Sequence, residues 1–221
     1  LAATASTGET VRLRQTGGDL RDVQAPPRPS LGWLAGASLF RLDPDALRQP
    51  APLIPAGQPI RFGDERGSGL PAVLDALRDR NDGSFEAIDK LLCALFPTVR
   101  RLQLARNPQG NGKQVQVELT SGVQVPAEGL SEGMLYLLAF AALERVDRTP
   151  IVLVEEPENG LHPARIGVVM KTLRAISQTT QVLVATHSPL VINELSPNEV
   201  TVVTRSPEQG TQTRLLGETR N

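Results

Sequence analysis

The hydrophobic pattern changes character twice along these 221 residues. Up to about residue 65 the apolar positions come in short runs broken by proline and glycine. Val11 to Gln15 and Leu31 to Arg41 predict strands, separated by the Gly17-Gly18 turn and the Pro-rich connector Ala25 to Ser30. Asp43-Pro44 predicts a turn, and Pro50, Pro52, Pro55 and Pro59 exclude regular structure after it, because proline lacks the backbone N–H and fixes φ. The spacing then becomes helical. A helix is expected from Leu70, with Ser68 or Gly69 as cap and Pro71 in its first turn. A second is expected from Phe85 to Leu95, capped by Ser84 and ended by Pro97. Gln114 to Leu119 alternates with period two and reaches Val123 to Val125 through Ser121-Gly122, which predicts a two-stranded hairpin.

From Ser131 onward, helix and strand alternate. The pattern predicts helix 131–146, buried strand 151–155, helix 163–177, buried strand 181–185, helix 189–195 and a strand at 200–204. Short links between such units are the mark of a parallel sheet covered by helices. The expected fold class is therefore α/β, a mostly parallel sheet with flanking helices, plus a helical insertion and a β-hairpin. Three regions follow: a loop-rich part at 1–65, a helical insertion at 66–106 and a lobe at 107–221 that carries the chemistry.

Composition narrows the function classes. The formal net charge is -1, so no overall basic field argues for nucleic acid. The lone Cys93 falls in the apolar series Phe85, Ile88, Leu91, Leu92, Leu95 and gives no disulfide framework, which suits a reducing, cytoplasmic setting. The longest apolar run, Met134 to Leu143, is well below the roughly 20 residues that cross a bilayer, so no membrane partner is expected. The chain begins at Leu1 without the features of a signal peptide, and the expectation is a piece of a longer protein.

Three segments carry candidate chemistry. Ile151-Val-Leu-Val-Glu-Glu-Pro-Glu-Asn-Gly-Leu-His-Pro163 puts Glu155 and Glu156 at the carboxyl end of a buried strand, where ligands bind in such sheets. Adjacent strand residues face opposite ways, so one carboxylate can help hold a hydrated Mg2+ while the other orients or deprotonates a water. An exposed acidic turn leading into a helix is the plainer reading. Leu130-Ser-Glu-Gly-Met134 opens an apolar helix whose free N–H groups can bind an anion; Ser131 adds a hydroxyl and Gly133 leaves room for a phosphate. Ser131 is equally an ordinary N-cap. Ala185-Thr-His-Ser-Pro189 places His187 at the end of a second strand, either to contact a phosphate or to cap the helix that follows. His162-Pro163 reads as a helix start. Gly110-Asn-Gly-Lys113 lacks the first Gly and the final Ser/Thr of G-x-x-x-x-G-K-[ST] and precedes a strand, so it reads as a hairpin turn. Arg100, Arg101 and Arg106 read as a solvated face.

Taken together, residues 128–195 resemble the C-terminal half of an ATP-binding-cassette-type ATPase head, of the P-loop NTPase fold and of the branch that includes RecF, SMC-like and OLD-family proteins. Leu130 to Met134 resembles the signature motif, Ile151 to Glu156 Walker B, Pro157 to Pro163 the D-loop region and His187 the switch histidine. Asp43 to Arg48 and the helices after Gly69 resemble more loosely the OLD-like helical insertion. The resemblance implies ATP and Mg2+ as cofactors, Glu156 as general base, Glu155 as the Mg2+-side carboxylate and His187 as γ-phosphate sensor. Ser131, Glu132 and Gly133 would contact nucleotide in trans, and Asn159 and Gly160 would lie at a head-to-head homodimer junction. A DNA-related or defence-related role, with nucleic acid or a nuclease effector as partner, follows from resemblance alone. Two departures stand out. Glu155 replaces the usual Asp, and no Walker A loop occurs in these residues, so this chain alone is expected to bind ATP weakly or not at all. Two other readings compete: a metal-dependent hydrolase using Glu155, Glu156, His162 and His187, and a degenerate head acting as an interaction module.

Overall fold

The computed structural model describes residues 2–4, 10–12, 36–108, 110 and 112–219. The chain divides into two compact units, residues 1–32 and 33–221. In the first, β1 (Ala2–Thr4) and β2 (Thr10–Arg12) form an antiparallel ladder with Ala3 opposite Val11. The strand expected over Val11 to Gln15 thus starts one residue early; residues 13–15, the Gly17-Gly18 turn and the connector at 25–30 lie outside the described residues.

The second unit runs β3 (Ser38–Phe40), α1 (Pro44–Arg48), α2 (Leu70–Asp79), α3 (Ser84–Leu95), β4 (Val99–Arg106), β5 (Lys113–Leu119), β6 (Gln124–Pro126) and α4 (Glu132–Leu143). It continues through β7 (Ile151–Glu155), α5 (Pro163–Ser177), β8 (Gln181–Ala185), α6 (Pro189–Ile192), β9 (Thr201–Ser206) and β10 (Gly210–Leu215). Strands β3, β7 and β8 form a parallel sheet with β7 in the centre, in the register Leu39↔Leu153 and Val154↔Val184. Parallel pairing across α5 is the βαβ unit that the alternating pattern predicts. Strands β4, β5 and β6 form a separate antiparallel sheet.

Helix α4 organises the core. All ten residues from Met134 to Leu143 are buried, and the helix touches α1, α2, α3 and α5. A helix apolar on every face is stable only when enclosed in this way. Leu135 is fully buried within it. Replacing Leu135 by Ala should destabilise the protein by about 2–5 kcal/mol, the cost of lost burial plus the cavity left behind. Urea denaturation would measure it, and a midpoint equal to wild type would contradict the central place of α4.

The departures from the sequence pattern have local causes. Asp43-Pro44 is the start of α1: Asp43 Oδ1 accepts from the N–H groups of Asp45 and Ala46 at 2.8 and 3.0 Å, which nucleates a helical turn. Gly69 caps α2 by backbone conformation alone. Helix α3 begins at Ser84 rather than after it; Gly83 is the cap, at φ +82°, and Asp82 Oδ1 accepts from the Ser84 N–H. The helix expected over 131–146 spans Glu132–Leu143, the one expected over 189–195 stops at Ile192, and of the strand expected over 31–41 residues 31–35 lie outside the described residues and Ser38–Phe40 is strand. Strands β4 and β10 were absent from the pattern. Strand β4 extends the hairpin to three strands, and its arginines are paired as well as solvated. The carboxylate of Glu118 on β5, which is 5% exposed, accepts from Arg100 at 2.9 Å, Arg101 at 2.6 Å and Gln103 at 3.0 Å. Strand β10, rich in Thr, Gln and Arg, pairs with β9 and has no buried residue. Cys93 is half-buried, packed at the edge of the core rather than inside it. Gly110 and Gly112, between β4 and β5, both have positive φ, and Lys113 is bound to the buried Asp75 of α2; position 111 lies outside the described residues. Among the described residues no helix is long and apolar enough to cross a membrane.

Candidate functional site

The strand ends β7 and β8 point their loops to the same side, as parallel strands must. There the chain turns abruptly. Glu156 has φ +47°, a left-handed backbone that a non-glycine residue adopts at a cost of about 1 kcal/mol or more. Its N–H still donates to Ala185 O at 2.8 Å, so the last rung of the parallel ladder is kept while the side chain is redirected. Glu155, one residue earlier, is half-exposed with Arg41 Nε at 3.9 Å. The two carboxylates therefore occupy different surroundings, as alternation along a strand requires.

Glu156 Oε2 lies 2.8 Å from Nδ1 of His187. The oxygen is shielded from solvent and, among the described residues, has no other hydrogen-bond partner. The imidazole itself is 86% exposed, open to anything that arrives at the strand ends. Contact with the Glu156 carboxylate raises the His187 pKa above 6.5, with its charge and that of Glu158 adding in the same sense. A raised histidine pKa means the contact is fully present below the unfolded value and is lost as pH rises through the folded value. His187 should thus titrate above 6.5 in the wild type, and Glu156→Gln should move it down; nuclear magnetic resonance titration of the ring protons would show an unmoved pKa if the contact were absent in solution.

A third carboxylate, unremarked in the sequence, joins them. Glu158 Oε1 accepts from the Thr186 hydroxyl, and its Oε2 is buried without a hydrogen bond. Donor atoms from Glu156, Glu158 and His187 all lie within 4.8 Å of one another. Two solvent-shielded, unsatisfied carboxylate oxygens beside an imidazole fit a cation or a tightly held water. This grouping holds Glu158 where the four-residue set of Glu155, Glu156, His162 and His187 had Glu155 and His162. The side chain of Glu155 turns to Arg41, and His162 is the N-cap of α5, its Nδ1 accepting from Ala164 N at 3.2 Å.

The signature-like turn forms the other half of the region. Ser131 is the N-cap of α4, its hydroxyl accepting from Met134 N at 3.3 Å, and Glu132 stands exposed in the first turn. Gly133 faces Gly160: a Cβ on Gly133 would sit 3.1 Å from the Gly160 carbonyl oxygen. Gly160, at φ +68°, has no room for a side chain either, since its Cβ would lie 2.4 Å from the Tyr136 ring. The absence of a side chain at Gly133 thus lets the Gly160 carbonyl approach the start of α4. Beside it, a cleft of about 750 Å3 is lined by Ser131, Glu132, Gly133, Gly160, His162 and Arg165, among others. The first turns of α4 and α5 both open into it, which favours negative charge. Arg165, which the sequence did not single out, lies over the Phe96 ring at 5.3 Å and donates to Leu95 O, tying the end of α3 to the start of α5.

A strand-end carboxylate pair, a histidine just past the end of the neighbouring strand and a glycine-bearing helix start thus stand on a parallel sheet flanked by helices. Residues 20–193 match the family described as "AAA domain, putative AbiEii toxin, Type IV TA system", and the chain belongs to that family. Solved structures similar to it include one described as "Structural biochemistry of ATP-driven dimerization and DNA stimulated activation of SMC ATPases", at 16% identity and TM-score 0.46, covering 64% of this chain and 88% of that one. A Smc head domain bound to the C-terminal domain of ScpA, from Pyrococcus furiosus, is similar at 16% identity and TM-score 0.49, over 66% of this chain and 38% of that one. The SMC head domain from Thermotoga maritima is similar at 16% identity and TM-score 0.43, over 66% of this chain and 51% of that one.

Proposed function

We propose that this chain supplies the water-activating and signature elements of an ATPase head, in which hydrolysis takes place between two copies. The observation that carries the reading is the Glu156 carboxylate at the end of the central strand. It is held there by a left-handed backbone, with one oxygen shielded from solvent and 2.8 Å from His187 Nδ1. Glu156 would accept the proton of the attacking water, and His187 would hydrogen-bond the terminal phosphate. Ser131, Glu132 and Gly133 would meet the nucleotide bound by the partner copy, with Asn159 and Gly160 at the junction. Mg2+, when bound, neutralises charge on the phosphate oxygens, and Glu155 is the carboxylate we assign to its side of the site.

The phosphate cradle would come from sequence other than these 221 residues, which contain no G-x-x-x-x-G-K-[ST]. Calorimetric titration of this chain with ATP should show weak binding or none, and binding should appear in a form that carries such a loop. Tight binding by this chain alone would contradict the assignment. We further propose that the head switches a DNA-related or defence-related effector, a reading supported by the family description and by the motif resemblance of residues 128–195. Stimulation of ATP hydrolysis by added DNA tests the nucleic-acid arm of that proposal; a rate insensitive to DNA would point to a protein effector.

A second reading is favoured by the grouping of Glu156, Glu158 and His187. It makes the strand ends a metal-dependent hydrolase independent of nucleotide. It leaves the contact of the signature-like turn with Gly160 without a purpose, and hydrolysis that needs no ATP would be its mark.

A further inference from the structure

Besides the contact of Glu156 with His187, a second side-chain contact joins the loops after β7 and β8. Thr186 lies between Ala185, which ends β8, and His187. Its hydroxyl donates to Glu158 Oε1 and accepts from Ser188 N at 2.9 Å, so a single oxygen fixes the backbone on the far side of His187 and ties it to the loop that carries Glu156. On the near side, the Glu156 N–H donates to Ala185 O at 2.8 Å. His187 is thus gripped on both flanks by the Glu156–Glu158 turn while its ring remains in solvent. An exposed imidazole has no packing to select its rotamer, so its position is set by the backbone that carries it. The turn that does the gripping is itself anchored at its far end by Gly160 against Gly133 and Tyr136 of α4.

We propose that Glu158, acting through Thr186, is a positioning residue that fixes His187 against Glu156. It rests on the ATPase reading for its consequence but not for its geometry. Removing the Thr186 hydroxyl without changing charge lets the 187–188 backbone drift and uncouples His187 from Glu156. Displacement of a reacting group by about 1 Å costs up to about 100-fold in rate while leaving ground-state binding intact, so the loss falls on kcat and spares KM.

Thr186→Val, Thr186→Ser and Glu158→Ala test this in two measurements. The first is the 15N resonance of His187 Nδ1 in the protein without nucleotide. It should move toward the value of a free, solvated imidazole in Thr186→Val and Glu158→Ala, and stay at the wild-type position in Thr186→Ser, which keeps the hydroxyl. The second is steady-state ATP hydrolysis in a form of the protein that binds nucleotide. In Thr186→Val kcat should fall about tenfold or more with KM changed less than about twofold, and Thr186→Ser should restore most of the rate. An unmoved His187 resonance in Thr186→Val would overturn the proposal, as would equal loss in the Val and Ser variants. If the wild-type protein releases no phosphate from ATP, the ATPase reading fails, and the His187 resonance alone then decides whether Glu158 positions it.

Discussion

Glu156→Gln should abolish multiple turnover and leave an ATP-bound dimer in place. The amide is nearly isosteric and tolerates the same backbone, but it cannot accept the proton of an attacking water. Loss of a positioned general base costs on the order of 100- to 10,000-fold in rate, and loss of its charge should also ease nucleotide retention. Phosphate release and light scattering of the nucleotide-binding form, with and without Mg-ATP, would show both effects. Unchanged hydrolysis would remove Glu156 from the role of base. Loss of some other hydrolytic activity with no nucleotide dependence would favour the metal-dependent alternative. A head that never hydrolyses ATP in any form would favour the interaction module.

Gly160→Ala should be the most damaging conservative change in the turn that joins the two halves of the site. Two costs add: the left-handed backbone at φ +68°, and a Cβ 2.4 Å from the Tyr136 ring, which is itself buried in the core. Overpacking of this kind typically costs about 1–3 kcal/mol, and the backbone adds about 1 kcal/mol. Gly83→Ala separates the two, because Gly83 sits at φ +82° and a Cβ there would meet no atom within 4 Å. Gly160→Ala should lower the urea midpoint clearly more than Gly83→Ala does. Equal midpoints would mean that the approach of Gly160 to α4 is relaxed in solution.

The parallel sheet was legible because Ile151 to Val154 and Val182 to Val184 are short apolar runs; β7 is the covered central strand that such a run fits, whereas β8, expected to be buried, stands at the edge of the described sheet with none of its residues buried. Glu156 and His187 were legible as strand-end groups for the same reason. What stayed hidden was pairing at a distance. Glu158 and Thr186 stand 28 residues apart, and nothing in either segment announces the hydrogen bond between them. Strand β4 was masked by its arginines, which read as surface until Glu118, buried on the next strand, is seen to collect them. Gly133 was read as making room for a phosphate; that it also lets the Gly160 carbonyl come close, 3.1 Å from where a Cβ would stand, has no signal in the sequence. Arg165 went unnoticed because a lone arginine in a helix has no periodic signature; its partners, Phe96 and Leu95 O, belong to another element.

The central claim is that Glu156 of one copy and Ser131 of another serve the same ATP. The most direct measurement mixes two inactive variants, Glu156→Gln and Ser131→Arg, in the nucleotide-binding form, and follows phosphate release. Each alone should be inactive, since every site in either homodimer lacks one element. In the mixture, a dimer of one chain of each kind contains one intact site, so roughly a quarter of the wild-type rate should return. A mixture as inactive as its components, while native mass spectrometry shows that the mixed dimer has formed, would contradict a shared site.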